Sequence, residues 1–250
     1  MKVIKTKDAV ELGKEAAAIC KKLIDEAIAE KGVARVVFST GASQFTTFEA
    51  LLALDIDWSK VEMFHLDEYV NLPITHIASF RKYLRERFVD KVNLKSTCFV
   101  GEMSDPVEDI ARLTKELRKA PIDIGLVGIG ENAHIAFNDP PADFDTQEAY
   151  KVVQLSDTCK NQQVREGWFA TPDDVPKEAI SMTVSEIMRI NHIICSVPNQ
   201  VKATAIYNTL SQPVNNMVPA TILKTHPDVT VIVDENSGSL VTDELLKEFC

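Results

Sequence analysis

The sequence predicts an α/β fold with a largely parallel central sheet flanked by helices, in one domain spanning residues 1–250. Short apolar runs rich in β-formers alternate with longer stretches of helical periodicity, the order that builds parallel sheets through helical crossovers. No repeat, linker or low-complexity segment interrupts the alternation. With 45% hydrophobic and 26% charged residues, 250 residues suffice to bury one substantial core.

The first helix is expected from Asp8 to about Glu30, since Asp8 and Glu11 have capping-box spacing, with Val10, Ala17, Leu23 and Ala27 facing inward. Strands are expected over 35–39, 61–66, 97–100, 122–129, 179–183, 192–197 and 229–233. The intervening periodic stretches predict helices over 45–54, 79–89, 106–118, 200–210 and 242–248, while 140–146 and 171–176 read as loops.

Composition excludes several function classes. A net charge of −10 repels nucleic acid and anionic lipid at long range. No apolar run approaches the roughly 20 residues of a membrane span, and the N-terminus lacks a signal peptide's apolar stretch, so a cytoplasmic location is expected. Cys20, Cys98, Cys159, Cys195 and Cys250 are scattered and odd in number, which predicts free thiols rather than a disulfide framework or zinc cluster.

In open parallel sheets ligands bind beyond the carboxyl ends of strands, so the segments just after the strands carry the functional reading. In Phe38-Ser39-Thr40-Gly41-Ala42-Ser43-Gln44-Phe45 a strand passes through a small-residue turn into a helix. Gly41 permits the turn, and the helix-start amides with the Thr40 and Ser43 hydroxyls suit either a phosphate or a simple cap. In His65-Leu66-Asp67-Glu68-Tyr69 two carboxylates follow an apolar strand; they can act as a general base or cap the following turn. In the segment 122–141, His134 lies between Asn132 and Asp139 beyond Gly128 and Gly130, with a carboxylate near enough to orient its ring for proton exchange. Gly128-x-Gly130 is no dinucleotide fingerprint, because Ala133 stands where the third glycine is needed.

Taken in order, Ser39-Thr40-Gly41-Ala42-Ser43, Leu66-Asp67-Glu68-Tyr69 and Gly128-Ile129-Gly130-Glu131-Asn132-Ala133-His134-Ile135-Ala136-Phe137-Asn138-Asp139-Pro140 resemble the signature blocks of glucosamine-6-phosphate deaminases, in the glucosamine/galactosamine-6-phosphate isomerase superfamily. Leu72-Pro73, His76, Ser79, Gln200-Val201-Lys202-Ala203 and His226-Pro227 extend the resemblance over most of the chain. It implies a modified Rossmann-like α/β fold. It also implies deamination of an aminosugar 6-phosphate to a ketose 6-phosphate, without metal or organic cofactor, as an isomerase and, since water displaces ammonia, a hydrolase. His134 would open the sugar ring, flanked by Asn132 and Asp139, and Asp67 would move the C2 proton to C1. Thr40, Gly41, Ala42, Ser43 and Lys202 would hold the phosphate, with Glu68 also in contact with substrate. The only partner implied is the phosphorylated aminosugar, with homo-oligomerisation left open.

Several positions depart from the family pattern. Typical deaminases carry aspartate at Asn132, glycine at Ala133 and glutamate at Asp139, whereas galactosamine-6-phosphate isomerases resemble this chain in carrying asparagine there, which makes the C4 epimer a rival substrate. Lys160 and Arg165 are alternative candidates for the family's phosphate-binding arginine. A 6-phosphogluconolactonase would continue after the histidine with a Leu-Phe-Pro pattern instead of Ile135-Ala136-Phe137-Asn138, and a non-catalytic sensor would need neither Asp67 nor His134.

Overall fold

The computed structural model describes residues 1–249. In chain order the elements are β1 (Lys2–Thr6), α1 (Ala9–Lys31), β2 (Ala34–Phe38), α2 (Phe45–Leu52), β3 (Val61–His65), β4 (Asp67–Tyr69), α3 (Phe80–Arg87), β5 (Ser96–Cys98), α4 (Pro106–Leu117), β6 (Ile124–Val127), β7 (Tyr150–Gln154), α5 (Asp157–Arg165), β8 (Glu178–Met182), α6 (Val184–Ile187), β9 (His192–Val197), α7 (Ala203–Ser211), β10 (Val229–Asp234) and α8 (Asp243–Leu246). Seven strands form one sheet in the order β1-β10-β9-β6-β2-β3-β5, every pair parallel. A second sheet, β4-β8-β7, is antiparallel.

The expected α/β architecture is present, with three strands and two helices beyond those the sequence predicts: β1, β4, β7, α5 and the four-residue α6. β1 lies at the sheet edge against β10, and β4 continues the path of β3 after Leu66 to pair with β8, Asp67 opposite Ser181. The α1 start is as expected: Asp8 accepts from the Val10 and Glu11 amides at 2.9 Å each, and Glu11 reaches back to the Lys7 amide. Its buried stripe runs through Leu12, Ala16, Ala17, Cys20, Ile24 and Ala27, whereas Val10, in the first turn beside the cap, faces solvent.

Alternate residues of β2 serve opposite sides of the large sheet. Val36 and Phe38 pack with α1, α2 and α3, where Phe38, Phe48 and Phe88 form an aromatic cluster with centroids 5.0–5.7 Å apart. Val37 belongs to the other core, with Leu66, Ile135 and Met182. Burial on both faces is why the inner strands read as continuous apolar runs. A third cluster, around Tyr69, Phe137 and Phe169, supports the small sheet. The described cysteines are free and buried; Cys250 lies outside the described residues.

Strand order reverses beside β2, since the chain proceeds from β2 outward to β3 and β5 but returns to β6 on the other side. The connections leaving the carboxyl ends of β2 and β6 therefore diverge, and they open a crevice at the place where open α/β sheets hold ligands.

Candidate active site

A cavity of about 510 Å³ occupies this crevice. One wall is the segment after β2, where Thr40, Gly41, Ala42 and Ser43 all line the space. Gly41 has φ 96°, a backbone region that favours glycine, and this turn leads into a short 3-10 turn and α2. Tyr83 of α3 donates from its hydroxyl to the Gly41 carbonyl at 2.9 Å and braces the loop. The Gly41 and Ala42 amides make no hydrogen bond among the described residues, as an anion-receiving turn requires.

Asp67 lines the cavity from β4 and is buried. Burial and the neighbouring Glu68 carboxylate push its carboxyl up to about 8, partly offset by the Phe137 amide. Glu68 points away because neighbouring strand residues alternate in direction. It accepts from the Tyr69, Phe80 and Arg81 amides (3.0, 3.1 and 2.8 Å), from Ser79 Oγ (2.8 Å) and from Arg81 Nε (3.4 Å). The expected contact of Glu68 with substrate is thus corrected: its oxygens anchor the start of α3 to β4, and it does not line the cavity.

His134 enters from the loop after β6. Gly130 makes room for it, since a Cβ there would sit 2.2 Å from His134 Nε2. His134 Nδ1 lies 2.6 Å from Asn132 Oδ1 and 3.1 Å from Asp139 Oδ1. The amide oxygen of Asn132 can only accept, which puts the proton on Nδ1 and leaves Nε2 as the nitrogen available for exchange. Asn132 Nδ2 in turn donates to Asp139 Oδ1 at 2.9 Å, and Ser156 Oγ, capping α5, donates to Asp139 Oδ2 at 2.5 Å. Burial alone would raise the Asp139 carboxyl; hydrogen bonding and charge from His134, with the Asn132 and Ser156 bonds, reverse this and hold it well below the usual carboxylate range. Neither Asn132 nor Asp139 lines the cavity. Their expected catalytic role is therefore corrected to positioning: they orient the His134 ring from behind.

Lys202 lies beyond β9, buried yet lining the cavity, and its ammonium makes no hydrogen bond or ion pair among the described residues. Burial lowers its pKa, while Glu166 and Glu131 favour the charged form. Of the two alternative cations, Arg165 lines the cavity and pairs with Glu131, whereas Lys160 does not reach it. Glu131, Gln162, Gln163, Glu166 and Trp168 also line the space without having been singled out. Gln162 and Gln163 come from α5, and Glu166 and Trp168 follow its end; the signal available in the sequence was the ends of that helix: Ser156 as cap, Asp157 in the first turn and Arg165 in the last.

Residues 7–232 match the family described as glucosamine-6-phosphate isomerases/6-phosphogluconolactonase. A glucosamine-6-phosphate deaminase of Thermoanaerobacter pseudethanolicus is 35% identical, the alignment covering 99% of this chain and 98% of that protein. One of Ligilactobacillus salivarius is 37% identical over 96% of this chain and all of its own. A solved structure of a monomeric glucosamine-6-phosphate deaminase superposes with TM-score 0.88 at 28% identity, covering 96% of this chain and 100% of that one. The 6-phosphogluconolactonase of Shewanella baltica, at 17% identity and TM-score 0.78, shares the fold over 94% of this chain and 97% of its own. The expected hydrolase class is corrected by these relatives, whose names are those of aminosugar-phosphate isomerases and deaminases. Signature blocks, sheet order and full-length similarity agree, and the chain belongs to the glucosamine-6-phosphate isomerase/6-phosphogluconolactonase family.

Proposed function

We propose that this protein converts glucosamine 6-phosphate and water into fructose 6-phosphate and ammonia. The observation that carries the reading is the division of one cavity: Asp67 and His134 supply proton-transfer groups, and the Thr40–Ser43 turn with Lys202 supplies an anion-binding end.

His134 Nε2 moves a proton between the anomeric hydroxyl and the ring oxygen, which opens the ring. Asp67, once ionised, removes the proton from C2; the electron pair left there forms the C1–C2 double bond while the aldehyde oxygen takes a proton from the adjacent ammonium, giving an enolamine. Asp67 returns its proton to C1, giving a ketose imine at C2. Water adds to that carbon and ammonia leaves. The phosphate, remote from the reacting carbons, fixes them between the two groups, so binding energy from Lys202 and the turn is spent on positioning. The whole chain serves as one catalytic unit in this reading, soluble and cytoplasmic, with the phosphorylated aminosugar as its partner and no role for nucleic acid or membrane.

Asn132, on which the galactosamine reading rests, contacts His134 Nδ1 and does not line the cavity, which supports the glucosamine reading. Ammonia release measured on glucosamine 6-phosphate, galactosamine 6-phosphate and free glucosamine tests the proposal. Preference for the first is expected, with the free sugar very poor. Equal turnover of free glucosamine, or preference for the galactose epimer, would refute it.

A further inference from the structure

Two groups of cavity residues differ in charge. Lys202 and Arg165 line the cavity near each other, with Glu131 and Glu166 as their neighbours. The groups that face Asp67 are of another kind: Glu68 and Tyr69 on its own strand, Tyr150 on β7, Cys159 on α5, Ser181 opposite it on β8, and the Phe137 amide. Burial keeps Tyr69, Tyr150 and Cys159 neutral at physiological pH by raising each of them. Arg81, the nearest arginine on α3, is committed to Glu68 and to the Gly101 and Leu72 carbonyls. His134 lines the same cavity but is bound through Nδ1 to Asn132 and Asp139. His65, one strand back, is buried and held neutral. A general base therefore sits in a wall that offers it no cation and sets a carboxylate beside it.

Resting on the function proposed above, the chemistry of the substrate supplies what the wall lacks. The proton to be removed is on C2, the carbon that bears the nitrogen, so a carboxylate within reach of that hydrogen is in contact range of the nitrogen as well. At neutral pH this nitrogen is an ammonium. We propose that the substrate's own ammonium ionises Asp67 on binding, so that a 2-ammonium sugar phosphate expels one proton from the site to solvent and a 2-hydroxyl sugar phosphate does not. The balance is simple: the protonated carboxyl and the ammonium become a carboxylate–ammonium pair, and the proton leaves to buffer. Selectivity for nitrogen over oxygen at C2 then arises at the base itself, because a hexose phosphate that fits equally well meets a protonated Asp67 that cannot take its C2 hydrogen. The raised carboxyl of Asp67 agrees with this placement.

The test uses two open-chain ligands that cannot react, 2-amino-2-deoxyglucitol 6-phosphate and glucitol 6-phosphate, titrated calorimetrically into the full chain at about pH 6.5 in buffers of different ionisation enthalpy. Protons exchanged by the phosphate group are common to both ligands and cancel in the difference. The amino ligand is expected to release close to one proton more per site, and its affinity relative to the hydroxyl ligand to rise about tenfold per pH unit below about pH 7. In Asp67→Asn both differences should vanish. Equal proton counts in the wild type, or a difference that survives in Asp67→Asn, would overturn the proposal. The wild-type comparison stands without the variant, and Glu68→Gln adds a second: with that charge removed, the excess release should shrink. Were neither ligand to bind, the proposed function itself would fall with the inference; ammonia release from glucosamine 6-phosphate with equal proton counts would leave the function standing and remove only the inference.

Discussion

Asp67, buried in the cavity wall, and Asp139, half-buried behind His134, are carboxylates of the same site, and their surroundings push them in opposite directions. Burial and then the neighbouring Glu68 carboxylate, offset only by the Phe137 amide, raise the Asp67 carboxyl to about 8. Asp139 is met by His134, Asn132 and Ser156 and is held low. Two groups of the same chemistry thereby become a protonated acid awaiting its counter-charge and a permanent anion behind the histidine. Divergence of this kind is how one site obtains different proton-transfer roles from similar side chains. Burial raises both carboxyls, more so at Asp67, and only at Asp139 do donors reverse it.

The largest effect that would break the comparison is on turnover. Asp67→Asn keeps the size of the side chain but removes the base, and deamination should fall by about 10² to 10⁴-fold. Stability should move the other way. Between about pH 4 and pH 8 folded Asp67 retains a proton that the unfolded chain has released, so its contribution to stability declines as pH rises through that window. The variant should therefore melt above the wild type at pH 8 and match it near pH 4. Deamination at wild-type rate, with deuterium still passing from C2 to C1 of the product, would remove Asp67 from its role.

For Asp139 the sign is reversed. Its depressed carboxyl contributes stability that is fully present above the ordinary carboxylate range and is lost progressively as pH falls from that range toward the depressed folded value. Asp139→Asn should cost about 1.5 to 3 kcal/mol at pH 7, because a charged acceptor of hydrogen bonds is lost, and less at pH 3, where the unfolded carboxyl is already largely protonated. Since Asp139 does not line the cavity, kcat should fall while KM changes little. Urea melts at the two pH values, with steady-state kinetics, check both. Equal cost at both pH values would mean that packing, not charge, is what Asp139 supplies.

How far this contrast is legible in the sequence differs between the two walls. The strand ends, Gly41, Asp67 and His134 could be placed because inner parallel strands are continuous apolar runs and the site follows their ends, whereas Lys202, a lysine in a stretch read as helix, was marked only by the family resemblance. β4 could not, being three polar residues whose burial depends on pairing with β8. β1 and β7 are short edge strands with partly exposed faces. α5 escaped because its inward side carries Gln162 and Gln163, which face a polar cavity, leaving no apolar stripe for periodicity to detect. Adjacency in sequence also misled: Asp67 and Glu68 looked interchangeable, yet strand alternation sends one into the cavity and the other to the helix start.

Asn132 sharpens the comparison on a smaller scale. Its Nδ2 donates to Asp139, so Asn132→Asp would replace a donor 2.9 Å from a carboxylate with a second carboxylate. The pair would recreate the Asp67–Glu68 situation behind His134, with one carboxyl of the two raised. If loss of the imidazolium sets the alkaline limb of the pH–rate profile, the added negative charge should move that limb upward, by up to about one pH unit. An unshifted limb would show that His134 is insensitive to charge at this position.

The smallest effect concerns the backbone that carries the second wall. Ala133 has φ 64°, its amide donates to the Gly130 carbonyl at 3.0 Å and its carbonyl accepts from the Ala220 amide at 2.9 Å, so the left-handed turn is fixed from both sides. A non-glycine residue there is strained by about 1 to 2 kcal/mol, which argues that Ala133→Gly should stabilise. Two terms oppose it: the buried methyl group is worth about 0.8 kcal/mol, and glycine adds about 0.4 to 1 kcal/mol of entropy to the unfolded chain. The three nearly cancel, and the variant should lie within about 1 kcal/mol of the wild type with its activity retained. The fixed hydrogen bonds leave the His134 ring where it was, because the turn keeps its shape without the methyl. Denaturation midpoints and ammonia release decide the matter: a loss beyond about 2 kcal/mol would mean that packing of the methyl outweighs relief of the backbone. Lost activity at unchanged stability would mean that the methyl, and not the turn, holds the histidine in register with Asp67.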